Sequence, residues 1–104
     1  MNDRIKAIEA MLRDKPQDVF LHYSLGMELA TVGDLDRAVE SFRTCMALDS
    51  GYIPAYVESG KTLRTMGRLG QARDTFAAAL QLAGVQGERH MQDYIRQQLE
   101  GLPQ

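Results

Sequence analysis

The chain holds 104 residues, 44% hydrophobic and 25% charged, with a formal net charge of -2, which suits one domain with one modest core. The slightly acidic balance argues against general nucleic-acid binding and against a polybasic membrane anchor. No apolar run approaches the roughly 20 residues that span a bilayer, the opening Met1-Asn2-Asp3-Arg4-Ile5-Lys6 mixes acid and base as a signal peptide does not, and one cysteine forms no intrachain disulfide, so the cytoplasm is the expected compartment.

From Asp3 to Leu12 the residues Ile5, Ile8, Met11 and Leu12 fall at helical spacing, with charge on the other side. Asp3 is placed to cap this helix or complement its N-terminus, and Asp14-Lys15-Pro16 stops it, because a residue before proline is pushed out of the α region. Asp18 is the expected N-cap of a second helix, Val19 to about Val32, with Leu21, Leu25, Leu29 and Val32 inward. Gly26 sits in its middle. A mid-helix glycine costs about 1 kcal/mol relative to alanine, so close approach of another helix is the expected reason. Gly33-Asp34 ends this helix with an αL cap and opens the next with an N-cap.

The third helix, about Leu35 to Leu48, carries Ala38, Val39, Phe42 and Cys45 inward, and so short a turn makes it antiparallel to the second. Ala38 is read as the small partner that admits Gly26, with Phe42 filling the space beyond. Asp49-Ser50-Gly51 is a turn, and Pro54 lies in the first turn of a fourth helix, Tyr52 to Met66, where its missing N–H is tolerated. A fifth helix runs from Leu69 to Ala83. Gly84-Val85-Gln86-Gly87 reads as a looser loop, and a sixth helix runs from Glu88 to Glu100. Gly101 to Gln104 is expected to fray. The result is an all-α chain of six helices.

A shift of 34 residues superposes the middle of the chain on itself: Gly26 on Gly60, Leu29 on Leu63, Gly33 on Gly67, Ala38 on Ala72, Phe42 on Phe76 and Leu48 on Leu82. A fixed period of that size marks a stacked helical repeat. With His22, Leu25-Gly26, Leu29, Ala38, Phe42 and Cys45 in one unit and Tyr56, Ser59-Gly60, Leu63, Ala72, Phe76 and Ala79 in the next, the pattern resembles the tetratricopeptide repeat family, in a small domain of the bacterial type. His22, Ser59, Ser50 and Gly84 depart from the family's preferred residues without disturbing the packing pattern.

That resemblance implies a right-handed superhelical stack of antiparallel helix pairs. Residues 19–52 form the first repeat, 53–86 the second, 1–15 a half-repeat helix and 88–100 a capping helix with a charged outer face. One residue inserted in the Gly84–Gly87 loop would put Met91, Tyr94 and Ile95 in the places of Tyr56, Ser59 and Gly60.

His22, His90 and Cys45 match no zinc spacing, and each has a packing or helix-end position. Gly67-Arg68-Leu69-Gly70 lacks the Gly-Lys-Ser/Thr ending and the preceding strand of a phosphate loop. No catalytic residue, metal or cofactor is expected. In the family the first helix of each pair lines a concave groove where ligands lie. That implies a binding face of Phe20, Tyr23, Ser24, Met27 and Thr31, then Val57, Glu58, Lys61, Arg64 and Thr65, then Arg89, Gln92 and Arg96. Family members that clamp chaperone C-termini use Lys and Asn at positions held here by Tyr23 and Met27. The expected function is a non-enzymatic adaptor whose preformed groove takes a protein or peptide partner with an apolar anchor and an acidic group or C-terminal carboxylate. The alternative is a self-assembling subunit, since a half-repeat start leaves an open end.

Overall fold

A computed structural model describes residues 2–103; Met1 of the opening segment and Gln104 of the expected frayed tail lie outside the described residues. Six helices follow one another: α1 Asp3–Asp14, α2 Val19–Thr31, α3 Leu35–Leu48, α4 Ile53–Thr65, α5 Leu69–Val85 and α6 Arg89–Glu100. Each packs chiefly on its chain neighbours, and α2 also touches α4. The molecule measures 38 × 28 × 19 Å. Nineteen ångströms is about two helix diameters, so the helices form two layers, α2, α4 and α6 in one and α1, α3 and α5 in the other.

Local chemistry sets the helix ends. Asn2, rather than the expected Asp3, caps α1, its side chain accepting from the Arg4 and Ile5 amides at 2.9 and 3.1 Å. Asp3 falls in the first turn, where its charge still complements the helix dipole. Asp18 caps α2 through the Leu21 amide at 3.0 Å. Gly33 adopts φ +86°, and the Asp34 amide donates to Leu29 O at 2.9 Å. Asp34 stands at the N-cap position of α3, but its side chain makes no capping bond there.

Three turns share one closure. The same long backbone bond joins Arg68 to Leu63 O at 2.9 Å and Glu88 to Ala83 O at 2.8 Å, beside positive-φ Gly67 and Gly87. The α5–α6 connection is therefore a tight helix-pair turn, and Gly84 and Val85, expected in a loose loop, belong to α5. The α3–α4 connection differs: Gly51 N donates to Asp49 Oδ1 at 3.0 Å, and Asp49–Tyr52 bridges the helices. As a result the N-caps of α4 and α6, Tyr52 and Glu88, stand 36 residues apart (88 − 52), so α6 is offset by two residues from the 34-residue period, where one was expected. Met91, Ile95 and Leu99 thus take the inward places of Ala55, Ser59 and Leu63, while His90, Asp93 and Gln97 stay exposed.

The core is two linked clusters. Leu25, Leu29, Ala38, Phe42, Cys45 and Ala55 form the first, with Ile5, Ile8 and Leu12 of α1 laid against it. Val39, Ile53, Val57, Leu63, Ala72, Phe76, Ala79, Ala83, Ile95 and Leu102 form the second. Phe42 and Phe76 are the largest fully buried side chains, and each contributes about 1.5–3 kcal/mol of apolar transfer energy. Ala38 is fully buried, but the group lying on Gly26 is the Phe42 ring; a Cβ at Gly26 would sit 2.5 Å from Phe42 Cε1. Gly60 and Phe76 repeat the contact at 2.6 Å.

The segment after α6 is not frayed over its described length. Leu102 is 6% exposed within the second cluster, and Arg73 Nη2 donates to Pro103 O at 2.8 Å. The described residues form an all-α fold of antiparallel helix pairs stacked in chain order.

Candidate functional site

Helical spacing decides what the α2–α4–α6 layer presents. On α2 the stripe Phe20, Ser24, Met27, Thr31 recurs every three or four residues and so shares a face. Phe20 is 65% and Met27 37% exposed, large values for apolar side chains. The same stripe on α4 is Pro54, Glu58, Lys61, Thr65, with Thr65 exposed and the others half-buried.

On α6, Tyr94 and Gln98 meet polar side chains of α4. Lys61 Nζ lies 5.9 Å from the Tyr94 ring centroid, and Arg64 Nη1 donates to Gln98 Oε1 at 2.6 Å. With the two-residue offset, His90, Tyr94 and Gln97 continue the face, and all three are exposed. They were not expected there. The sequence pattern alone puts His90 near a helix start and Tyr94 inward. The signal that finds them is the spacing between N-caps, hidden because two different turn types interrupt the period.

Several expected groove residues have other positions. Val57 is 4% exposed and belongs to the core with Ile53 and Phe76, because its stripe turns toward α6 and α5. Tyr23 is half-buried. Its ring is tilted against Phe42 at 5.9 Å and edge-on to Tyr52 at 5.6 Å, which ties the first repeat to the start of α4. Arg96 lies about half a turn around α6 from both Tyr94 and Gln98, so it points away from α4 and pairs with Asp93 at 3.4 Å. Arg89 and Gln92 share that far side. Arg64 bridges the seam between α4 and α6.

The expected basic end is therefore not a field of free cations. Lys61 Nζ meets Glu58 Oε2 at 3.3 Å, both side chains partly screened from solvent at 35% and 21% exposure. Burial works against the Lys61 charge, but the Tyr94 side chain and Glu58 together outweigh it and hold its pKa above the ordinary lysine value. Burial, and then the Glu58 carboxylate, push the Tyr23 hydroxyl up as well. Along the α2, α4 and α6 stripes the Glu58–Lys61 pair supplies the carboxylate and the cation, and their charges cancel.

The residues that suggested chemistry have structural surroundings. His22 Nε2 is 2.7 Å from Pro16 O, bracing the α1–α2 turn. Cys45 is fully buried, its Sγ 3.5 Å from Val19 O, and burial raises the thiol to about 11. Among the described residues no group of three His, Cys, Asp or Glu side chains converges as metal ligands, and no helix is long and apolar enough to cross a membrane. An open recess of about 740 Å³ lies between the start of α1 and the end of α2, edged by the Arg4–Glu28 ion pair. A smaller one of about 250 Å³ lies on the opposite layer, between Arg43 and Met46 of α3 and Gln71 and Asp74 of α5.

The geometry defines a class: a helical repeat built of stacked antiparallel helix pairs. The tetratricopeptide repeat profile matches residues 21–52 and 53–85, and the chain belongs to the tetratricopeptide repeat family. A TPR repeat-containing protein of Pseudomonas aeruginosa is 28% identical over 85 residues, 82% of this chain and 81% of its own length. An uncharacterized protein of Methanocaldococcus jannaschii is 30% identical over 70 residues, 67% of this chain and 76% of its own. Among solved structures, a Bordetella parapertussis protein has a TM-score of 0.83 at 26% identity, covering 96% of this chain and 87% of that one. The Yersinia enterocolitica type III secretion translocator chaperone SycD has a TM-score of 0.87 at 20% identity, covering 94% and 68%. The TPR2AB domain of yeast Sti1, solved in a pHSP90 complex, also scores 0.87, at 18% identity, covering 92% of this chain and 37% of that one. The last two establish likeness of fold.

Proposed function

We propose that this chain is a non-enzymatic protein-interaction scaffold that seats a segment of another protein on the α2–α4–α6 face. The observation that carries the reading is the exposed Phe20 and Met27 on a layer otherwise held rigid by the Tyr23–Phe42–Tyr52 cluster and the Arg64–Gln98 bond. Exposed apolar side chains on a preordered surface suit partner binding, since little ordering falls on the scaffold. Structures of similar fold include two yeast Sti1 domains solved as pHSP90 and pHsp70 complexes, which supports the reading at the level of architecture. In this reading α1 is the second half of an incomplete repeat and α6 a cap. A cytoplasmic setting is part of the same proposal.

An acidic or C-terminal carboxylate group in the partner has weaker support than the sequence suggested, because Lys61 is paired, Arg64 is bonded and Arg96 faces elsewhere. The test is capture of partners from a lysate of the source organism on the immobilised chain, beside a Phe20→Ser/Met27→Ser variant with an unchanged melting temperature. Partners retained by the chain and lost with the variant support the reading. Equal retention on both would refute it.

A further inference from the structure

We infer that the segment seated on this face is recognised through uncharged apolar side chains and needs no acidic group; this rests on the face being the binding site. Charge complementarity carries the inference. The Glu58–Lys61 pair at 3.3 Å neutralises itself, and Arg64 donates across the α4–α6 seam at 2.6 Å. A ligand carboxylate would compete with Glu58 for a lysine that Tyr94 and Glu58 already engage, and burying a charge without a free partner is unfavourable.

The two ends of the face offer the opposite chemistry. Phe20 and Met27 stand about 10 Å apart along α2, seven residues at 1.5 Å each, and on α6 the Tyr94 ring is 36% exposed, its centroid 5.9 Å from Lys61 Nζ of α4. A partner with apolar side chains at matching separation covers all three without breaking a polar contact. Such binding is insensitive to screening.

The experiment pans a random peptide library displayed on phage against the full-length chain, then measures enriched peptides by fluorescence anisotropy. Enriched sequences are expected to carry aliphatic or aromatic pairs. Their Kd should change less than about twofold between about 50 and about 500 mM salt and weaken at least about tenfold for Phe20→Ser/Met27→Ser. Acidic consensus peptides that lose affinity about tenfold in salt and fail on Lys61→Gln would overturn this inference while leaving the face as the binding site. Enriched peptides indifferent to every one of these substitutions, or no enrichment, would overturn the binding-face reading itself. A concentration-dependent dimer abolished by Phe20→Ser would make a second copy the occupant and overturn the inference too.

Discussion

The Phe42 ring lies directly on Gly26, so close that a Cβ there would stand 2.5 Å from Cε1, and Phe76 lies on Gly60 in the same way. This contact, repeated at the 34-residue period, locks each helix pair. Both rings are fully buried and have nowhere to move. Gly26→Ala should therefore destabilise by about 1–3 kcal/mol net, overpacking outweighing alanine's better helix propensity. Gly60→Ala should behave alike. Urea unfolding measures both, and a stability equal to that of the natural chain would reject the contact's role.

The same relationship predicts coupling. Phe42→Ala alone should destabilise by about 3–5 kcal/mol. Combined with Gly26→Ala, the loss should be clearly smaller than the two single losses added together, because the smaller side chain leaves room for the new methyl. A double-mutant cycle by denaturant titration checks this; strict additivity would contradict it.

Leu102 ties the end of the chain to the core. Leu102→Ala should destabilise by about 2 kcal/mol, toward the low end for a buried leucine because a chain end relaxes more easily than a helix interior. Thermal unfolding reads this as a fall of roughly 8 °C or more for a domain of this size. A melt that does not move would mean that the tail is detached in solution.

Cys45 offers a pH-linked test. With the thiol raised to about 11 by burial, very little thiolate exists at neutral pH, so a disulfide reagent should react with the folded chain far more slowly than with a chain unfolded in urea. The folded-state pKa is raised for a group that becomes an anion. Protonated Cys45 is therefore favoured in the fold, and stability should begin to decline as pH rises past the unfolded thiol's ordinary range of about 8–9. Rapid labelling of the native chain at neutral pH would contradict both the burial and the shift.

Much of this was legible in the residues. Gly26, Gly60, Phe42 and Phe76 revealed the period because the contact they make tolerates few alternatives. Gly33 and Gly67 marked helix ends because the left-handed backbone there disfavours other residues. Beyond α2 the groove is less legible in the sequence. Val57 was misplaced because an apolar residue beside an inner stripe looks the same whether it faces solvent or a neighbouring helix, and only the position of α6 decides. Arg96 and Tyr94 exchanged roles because α5 runs on to Val85 and the last turn copies the tight helix-pair geometry, moving α6 by two residues. The charge character of the face depended on partners such as Glu58 with Lys61 and Gln98 with Arg64, which are rotamer choices that a sequence pattern does not record.

The most direct test of the α2–α4–α6 face is amide and methyl chemical-shift mapping of the full chain with an enriched peptide. The account predicts perturbations concentrated at Phe20, Ser24, Met27, Thr31, Lys61 and Tyr94. Perturbations centred instead on Arg43, Gln71 and Asp74 of the opposite layer would contradict it.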